Sequence, residues 1–158
     1  MDRERSLRQH LGKLLDWEDA HATVDQAVDG IPPRARGVVP EGSVHSAWQL
    51  LEHLRIAQHD ILDFCRNPKY VEMPMADLWP RSPQPPSGAA WKTSVAALRR
   101  DRAALARLAR NPRTDLFARI PHGSGQTYLR ELLLAADHAA YHAGQLVALR
   151  RQLGVWKG

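Results

Sequence analysis

Apolar residues recur along nearly the whole chain at the three- and four-residue spacing of an amphipathic helix, and no segment alternates as a strand would. The pattern predicts an all-α protein with four helices. They run from Arg3 to about Val28, from Ser43 or Ser46 to about Cys65 or Arg66, from Ser87 or Gly88 to about Ala109, and from Thr127 to Leu153.

Proline and glycine mark the ends of the predicted helices. The first is followed by Gly30-Ile31-Pro32-Pro33, the second by Asn67-Pro68 and the third by Asn111-Pro112. Proline cannot continue a helix, because it lacks the backbone N–H and its ring clashes with the preceding turn. Gly154 is expected to stop the fourth helix, since glycine adopts the left-handed conformation that closes many helices.

Residues 67–86 form a long connection between the second and third helices, with six prolines. A helix of about 24 residues is about 36 Å long, and twenty extended residues span roughly 60 Å or more. The connection can therefore cross the full length of a bundle. This allows an up-down-down-up order of the four helices beside the simpler up-down-up-down order. Its Met73, Met75, Leu78 and Trp79 are candidates for packing against the helices.

The composition is that of an ordinary soluble domain, with 44% hydrophobic and 25% charged residues. We expect a single domain over residues 1–158. No run of about 18 apolar residues is present, so no membrane span is expected, and the charged N-terminal segment lacks the apolar part of a secretory signal. Cys65 is the only cysteine, which excludes an intramolecular disulfide and favours the cytoplasm as compartment.

A net charge of +5 raises the question of an anionic partner. The basic residues are spread over all predicted segments, and the densest group, around Arg99 and Arg107, is interleaved with alanine and leucine as on a solvated helix face. A nucleic-acid partner is therefore not expected. A basic nucleic-acid-binding bundle with merely structural histidines stays open as one alternative.

Three histidines form the most informative pattern. His138 and His142 are one helical turn apart in the fourth helix, on its apolar line, and His53 flanks the apolar line of the second. An i, i+4 pair points two imidazoles the same way, and burying imidazoles without partners costs free energy. A third imidazole from a facing helix would complete three protein ligands of a divalent metal and leave one position open. Hydrogen-bonded core histidines are the alternative.

Several polar residues are candidates for supporting such a site. By helical angle, Glu18, His21 and Asp25 share one side of the first predicted helix. Glu18 and Asp25 are candidate catalytic carboxylates, which would orient ligands or move protons, with frayed surface residues as the alternative reading. The candidates for contacts to the ligands or to substrate are His21, Glu131, Tyr141 and Gln145.

Two other chemistries are weaker. Glu18 and His21 form one Glu-x-x-His element, but a di-iron bundle site needs two such elements and two further glutamates. Cys65 at a helix end is more typical of a small core residue than of a nucleophile.

The combined pattern resembles the DinB/YfiT-like superfamily of metal-binding bundles. Its members pair a histidine of helix two with His-x-x-x-His of helix four, followed by Gly-Gln and then Leu-Arg. Here these elements are EHL around His53 and HAAYHAGQLVALRRQLG from His138. The resemblance covers nearly the whole chain in helix order and loop lengths. Many members carry an acidic residue directly after the first helix-four histidine, whereas here Ala139 follows it and Asp137 precedes it.

The resemblance implies a left-handed four-helix bundle, often with parallel middle helices, and a divalent metal, zinc or nickel, on the residues that match: His53, His138 and His142. It also implies a homodimer. Some members look like thiol-dependent S-transferases or isomerases that use a low-molecular-weight thiol. A mechanism that depends on the carboxylate missing at Ala139 would not carry over.

Two principal hypotheses follow for the function. The first is a metal-dependent enzyme acting on a small molecule, an S-transferase or hydrolase, in which the open position takes a water or a substrate thiolate. The alternative is a non-catalytic, metal-stabilised dimer that binds a small ligand or a partner. In that case a fourth protein group, such as His21 or a carboxylate, would close the metal's coordination shell.

Overall fold

A computed structural model describes residues 3–157 of the chain. Helices, and no β-strand, make up the regular structure of this part, which confirms the all-α prediction. The α-helices are α1 (Arg3–Leu14), α2 (Val24–Val28), α3 (Ala47–Arg66), α4 (Gly88–Arg110) and α5 (Tyr128–Gln152), with short 3₁₀ turns at Pro33–Ala35 and Met75–Asp77. None of the helices described here has the length and apolarity needed to span a membrane.

The prediction of one continuous helix from Arg3 to Val28 is wrong, because Thr23 starts a new helix. Its extended backbone precedes α2, its hydroxyl accepts a hydrogen bond from the Gln26 backbone N–H, and the Gln26 side chain accepts one from the Thr23 N–H. This reciprocal pair is a capping box, which satisfies N–H groups that a helix start leaves without partners. Residues 15–23 are therefore not helical, and the helical-angle argument that grouped Glu18, His21 and Asp25 does not hold.

The other helices match their predicted limits within about one residue, because residue types that commonly cap helices stand at their ends. Ser46 and Gln49 form a capping box at the start of α3. Thr127 caps α5 by accepting from the Arg130 N–H. At the other end Gly154 has a positive φ of 66°, and Val155 N–H donates to the Arg150 carbonyl, as in a Schellman motif.

Contacts along α3 show in which direction α4 and α5 run beside it. Trp48 meets Trp91 near the start of both α3 and α4, and Gln58 donates to the Leu98 carbonyl midway. Arg66 donates to the Ala104 carbonyl near the end of α3, so α3 and α4 run side by side in the same direction. Helix α5 runs the opposite way, since His53 of α3 meets His138 and His142 of α5, whereas Ser43 lies by Gln152.

The core has two halves, and the break after α1 lets the N-terminal region serve both. Helix α1 contributes Leu11 to a cluster with the second half of α4 and the first half of α5. Helix α2 contributes Val28 to a cluster with the first halves of α3 and α4 and the second half of α5. His138 lies where these two clusters meet on α5, between Ala135 of the first and Ala139 of the second.

Asp25 ties α2 to α4 through two arginines. Its carboxylate accepts from Arg99 Nε at 2.9 Å and from Arg102. Burial raises the pKa of Asp25, but the hydrogen bonds and charges of Arg99 and Arg102 outweigh it and hold the pKa below the ordinary value of 3.8. A depressed carboxylate pKa means that ionised Asp25 stabilises the folded state above its unfolded pKa, and that this stabilisation is lost as the pH falls.

Asp25→Asn should therefore lower the free energy of unfolding at neutral pH by about 1 kcal/mol, a value discounted because the carboxylate is partly solvated. The deficit should shrink as the pH falls below 3.8 and vanish once wild-type Asp25 is protonated. Urea denaturation at a series of pH values measures both effects. Asp77→Asn, at an exposed position, is the control. A loss of unfolding free energy that does not change with pH would contradict a lowered pKa of Asp25 in the folded state.

Candidate metal centre

Three imidazoles from two helices converge on one point. His138 Nε2 lies 3.1 Å from His53 Nε2 and 3.0 Å from His142 Nε2. Among the described residues, His53, His138 and His142 form a group that could hold a metal ion, with all ligand atoms within 4.8 Å of one another. We call these residues the histidine triad. His53 and His142 are buried, whereas His138 is partly exposed.

Hydrogen bonds at the far side of two rings determine which nitrogen faces the centre. His53 Nδ1 lies 2.8 Å from the Leu78 carbonyl oxygen, which only accepts, so Nδ1 carries the proton and Nε2 keeps its lone pair. His142 Nδ1 likewise donates to Gln145 Oε1 at 2.7 Å. His53 Nε2 and His142 Nε2 each present a lone pair to His138 Nε2. A proton on His138 Nε2 could form a good hydrogen bond to only one of them. Three inward-facing Nε2 atoms with two anchored Nδ1–H groups fit the donor set of a divalent metal.

The environment keeps the triad in the neutral form that binds metals. Burial lowers the pKa of His53, against the hydrogen bond to Leu78. Burial and the neighbouring His53 lower the pKa of His138 to about 4, and burial and the other triad imidazoles lower that of His142 to about 4. All three rings are therefore uncharged at neutral pH, so a cation would not have to displace a proton from them.

The proline-rich crossover builds one wall of the centre. It runs along α3 in the opposite direction, and its Leu78 and Pro80 carbonyls accept from His53 and Gln49. The Trp79 indole stacks on the His53 ring, with centroids 3.7 Å apart and planes 4° apart. On its other face it stacks on His45 at 3.9 Å. Trp79 is thus held between two imidazoles and fixes the plane of one triad ring.

Two of the predicted supporting residues lie at the triad. Gln145 accepts from His142 Nδ1, and its Nε2 donates to the Tyr141 hydroxyl at 3.1 Å. The Tyr141 ring lies edge-on to His142, with centroids 5.0 Å apart. This chain of contacts orients the His142 ring and ends at a largely exposed phenol.

Three other predicted residues lie elsewhere. Glu18 is exposed in the connection between α1 and α2, and His21 is exposed with its Nδ1 at 3.0 Å from the Ala22 carbonyl. Asp25 is engaged by Arg99 and Arg102. None of the three contacts the triad in the described structure. Their catalytic and substrate-binding roles stay predictions that their positions do not favour.

Glu131 faces a separate cavity of about 530 Å³ between α3, α5 and the start of the crossover. Its side chain is buried and accepts from Arg130 at 2.6 Å. Asp60 lies in the same cavity, where its carboxylate accepts from the Tyr70 hydroxyl. Leu134, one turn before His138 on α5, also lines it. The cavity therefore begins about one helical turn from the partly exposed member of the triad.

Cys65 is not an activated thiol. It is buried, and burial with the nearby Glu131 charge raises its pKa to about 12. A thiol with such a pKa stays protonated at neutral pH and is a poor nucleophile. The structure thus supports the reading of Cys65 as a core residue.

Sequence reasoning missed the parts of the site that the crossover and its neighbours supply. The sequence predicts only a packing role for Trp79 and none for His45. Neither the stacking on both faces of Trp79 nor the Leu78 carbonyl leaves a periodic signal, because the crossover has no regular structure over most of its length. The one available hint was an apolar Leu-Trp pair within a long run of prolines.

Gln145→Ala should weaken divalent-metal binding by about tenfold, because the His142 ring loses the acceptor that fixes its tautomer and orientation. Gln145→Glu keeps an acceptor at that position and should retain most of the affinity. Competition with a chromophoric chelator measures both constants. Equal affinity of the alanine variant and the wild type would contradict the orienting role.

A family model described as the DinB superfamily matches residues 16–146, which include the whole triad and the crossover. No curated protein and no solved structure matched the chain. Since the matched segment is most of the 158 residues, the chain belongs to the DinB superfamily.

Proposed function

We propose that the protein binds one divalent metal ion, zinc or nickel, through His53, His138 and His142. The observation that carries the proposal is the approach of His138 Nε2 to the Nε2 atoms of His53 and His142 at 3.1 and 3.0 Å, with the last two rings anchored at Nδ1. Purely structural histidines would be expected to pair each donor with one acceptor, whereas here two lone pairs, on His53 Nε2 and His142 Nε2, face one ring nitrogen of His138. Membership in the DinB superfamily supports the same reading.

We further propose that the protein is an enzyme of the thiol-dependent S-transferase or hydrolase type. Within the described residues no fourth histidine, cysteine or carboxylate joins the triad, which favours a centre that keeps a place for substrate. A divalent metal held there would lower the pKa of a water or thiol and so supply a nucleophile near neutral pH. The alternative, a non-catalytic module, would need a fourth protein ligand to complete the metal's coordination shell. His21, one candidate for that ligand, is exposed, and its Nδ1 lies 3.0 Å from the Ala22 carbonyl oxygen.

The residues around the triad suggest from which side a substrate would approach. Trp79 and His45 cover the His53 side, so we infer approach from the side where His138 is exposed. The cavity that contains Asp60 and Glu131 begins about one helical turn from His138 and is large enough for the body of a small molecule. Gln145 holds the proton on His142 Nδ1, and so keeps the Nε2 of His142 unprotonated toward the metal.

A thiol-transfer assay tests the catalytic proposal. Protein loaded with zinc or nickel is mixed with an electrophile such as monochlorobimane and, in turn, with glutathione, cysteine and bacillithiol. We expect transfer above the uncatalysed rate with at least one thiol, and loss of that transfer on chelation. Stoichiometric metal binding without any reaction, together with a saturated four-protein-ligand shell, would favour the non-catalytic module instead.

The finer architecture is also a proposal. We infer a left-handed four-helix bundle of α1, α3, α4 and α5 in up-down-down-up order, formed as one domain by residues 1–158 in the cytoplasm. The parallel contacts of α3 with α4 and the reversed contacts with α5 support this order. So do the antiparallel contacts of α1 with α4, where Arg8 donates to the Ala109 carbonyl and Arg102 pairs with Asp16.

We also propose a homodimer that covers part of the outer face of α5. Leu133, Leu134 and Tyr141 are 45%, 37% and 63% exposed there, which leaves an apolar strip on a helix that already packs its other side. Light scattering should give twice the 17.8 kDa mass of the chain. A Leu133→Glu variant should then shift the mass toward the monomer. A monomeric wild type at micromolar concentration would contradict the proposal.

A further inference from the structure

A second cavity lies at the end of the molecule where α2 and the chain after α5 meet. Its volume is about 710 Å³, within the range of small-molecule sites. Residues of α2 and the turn that follows it form one wall, Arg34 lies at one edge, and the C-terminal segment 154–157 forms the other wall. Arg150, in the last turns of α5, lines it from inside.

Arg150 is a buried cation without a direct ion pair among the described residues. Its side chain is 5% exposed and donates to the carbonyl oxygens of Gln26 at 2.7 Å, Ala27 at 2.9 Å and Val155 at 3.3 Å. These groups are neutral, as is the Trp156 indole against the guanidinium. No carboxylate pairs with Arg150 in the part of the chain described, and its Nε has no hydrogen-bond partner there. Buried charges are normally compensated by an opposite charge.

Two residues at the edge of the cavity add further positive charge. Arg34 and Lys157 are exposed, line the cavity and form no ion pair within residues 3–157. Asp29 is the acidic residue of the lining, and Arg99 donates to both of its carboxylate oxygens at 2.8 Å. Burial lowers the pKa of Arg150, and the charge of Asp29, although offset in part by Arg99, opposes that shift. Around the cavity three basic groups thus face one acidic group.

We propose that this cavity binds a phosphate-bearing small molecule, at a site distinct from the histidine triad. A phosphomonoester would supply the direct anionic contact that Arg150 lacks, and its oxygens can accept from guanidinium groups. The volume exceeds what an inorganic ion needs, so the organic part of the ligand would occupy the remainder beside Trp156. Arg150 lies eight residues beyond His142 on α5, a rise of about 12 Å, so the two sites are separate.

Capping of α2 explains only part of what Arg150 does. The bonds to the Gln26 and Ala27 carbonyls satisfy acceptors that the end of a helix leaves free. They do not account for the missing direct ion pair of Arg150 or for the two unpaired cations at the edge of the cavity. A neutral donor at position 150 would serve the capping role alone.

Calorimetric titration with phenyl phosphate, in about 50 mM salt to limit screening, tests the proposal. We expect saturable binding of one molecule per chain and none of the neutral benzyl alcohol. The double variant Arg34→Gln/Lys157→Gln should weaken binding by about tenfold, because two cations are lost from the edge. These positions are exposed, so the variant should fold like the wild type, which circular dichroism checks.

The matched control is Arg81→Gln/Arg113→Gln, which removes the same charge from exposed positions that do not line the cavity. It should change the dissociation constant by less than about twofold. No saturable binding up to about 10 mM phenyl phosphate would overturn the proposal. Equal weakening in both double variants would also overturn it, since general charge would then explain the binding.

Discussion

Replacing His142 with alanine should abolish stoichiometric binding of zinc or nickel while leaving the protein helical. One of the three converging Nε2 atoms is lost, and with it the ring that Gln145 orients. We expect the affinity to fall by at least about 1000-fold, beyond the 10–100-fold typical of changes outside the ligand set. Alanine favours helix, and α5 keeps its buried Leu146 and Leu149, so the circular dichroism signal should persist.

Elemental analysis after dialysis against a metal buffer measures this effect, and His21→Ala is its control. His21 is exposed and bonded only to the backbone beside it, so that variant should bind metal like the wild type. Retention of one equivalent of metal by the His142 variant would move the site elsewhere. Equal loss in both variants would indicate that metal binds through scattered surface histidines.

Trp79→Ala should produce the second largest effect, a fall in metal affinity of about 10–100-fold. The indole fixes the plane of the His53 ring and belongs to the crossover whose Leu78 carbonyl holds His53 Nδ1. Its removal frees the ring to rotate and opens the centre to solvent beside His45. Because Trp79 is only half-buried, the free energy of unfolding should fall by about 1–2 kcal/mol, less than for a fully buried tryptophan.

Two further variants separate orientation from general destabilisation. Trp79→Phe keeps an aromatic face against His53 and should recover most of the affinity. Trp17→Ala removes a half-buried tryptophan from the connection after α1, so it should cost stability without changing metal affinity. An unchanged dissociation constant in Trp79→Ala would show that the Trp79 indole plays no part in holding the triad.

The sequence predicts the helices well where local chemistry marks their ends. Ser46, Thr127 and Gly154 act as the caps and stop that their residue types suggest. The predicted first helix is too long, because apolar spacing continues from α1 into α2 through residues that are not helical. Thr23 and Gln26 carried the missing signal, a capping box that outweighs periodicity at that point.

The convergence of the triad could be foreseen, whereas its surroundings could not. The spacing of His138 and His142 places both on one helix face, and His53 lies on the apolar side of α3. By contrast, the contacts of Trp79 and the Leu78 carbonyl depend on the path of a chain without periodicity. Asp25 was assigned by helical angle to a helix that does not exist, and its actual partners lie about 75 residues away in sequence, on α4.

X-ray absorption at the metal edge of stoichiometrically loaded protein tests the central claim most directly. The account predicts a zinc or nickel ion with imidazole scattering from three histidines, and a fall to two in the His53→Ala variant where any metal is retained. Protein that retains no zinc or nickel, or a spectrum with fewer than three imidazoles in the wild type, would contradict it.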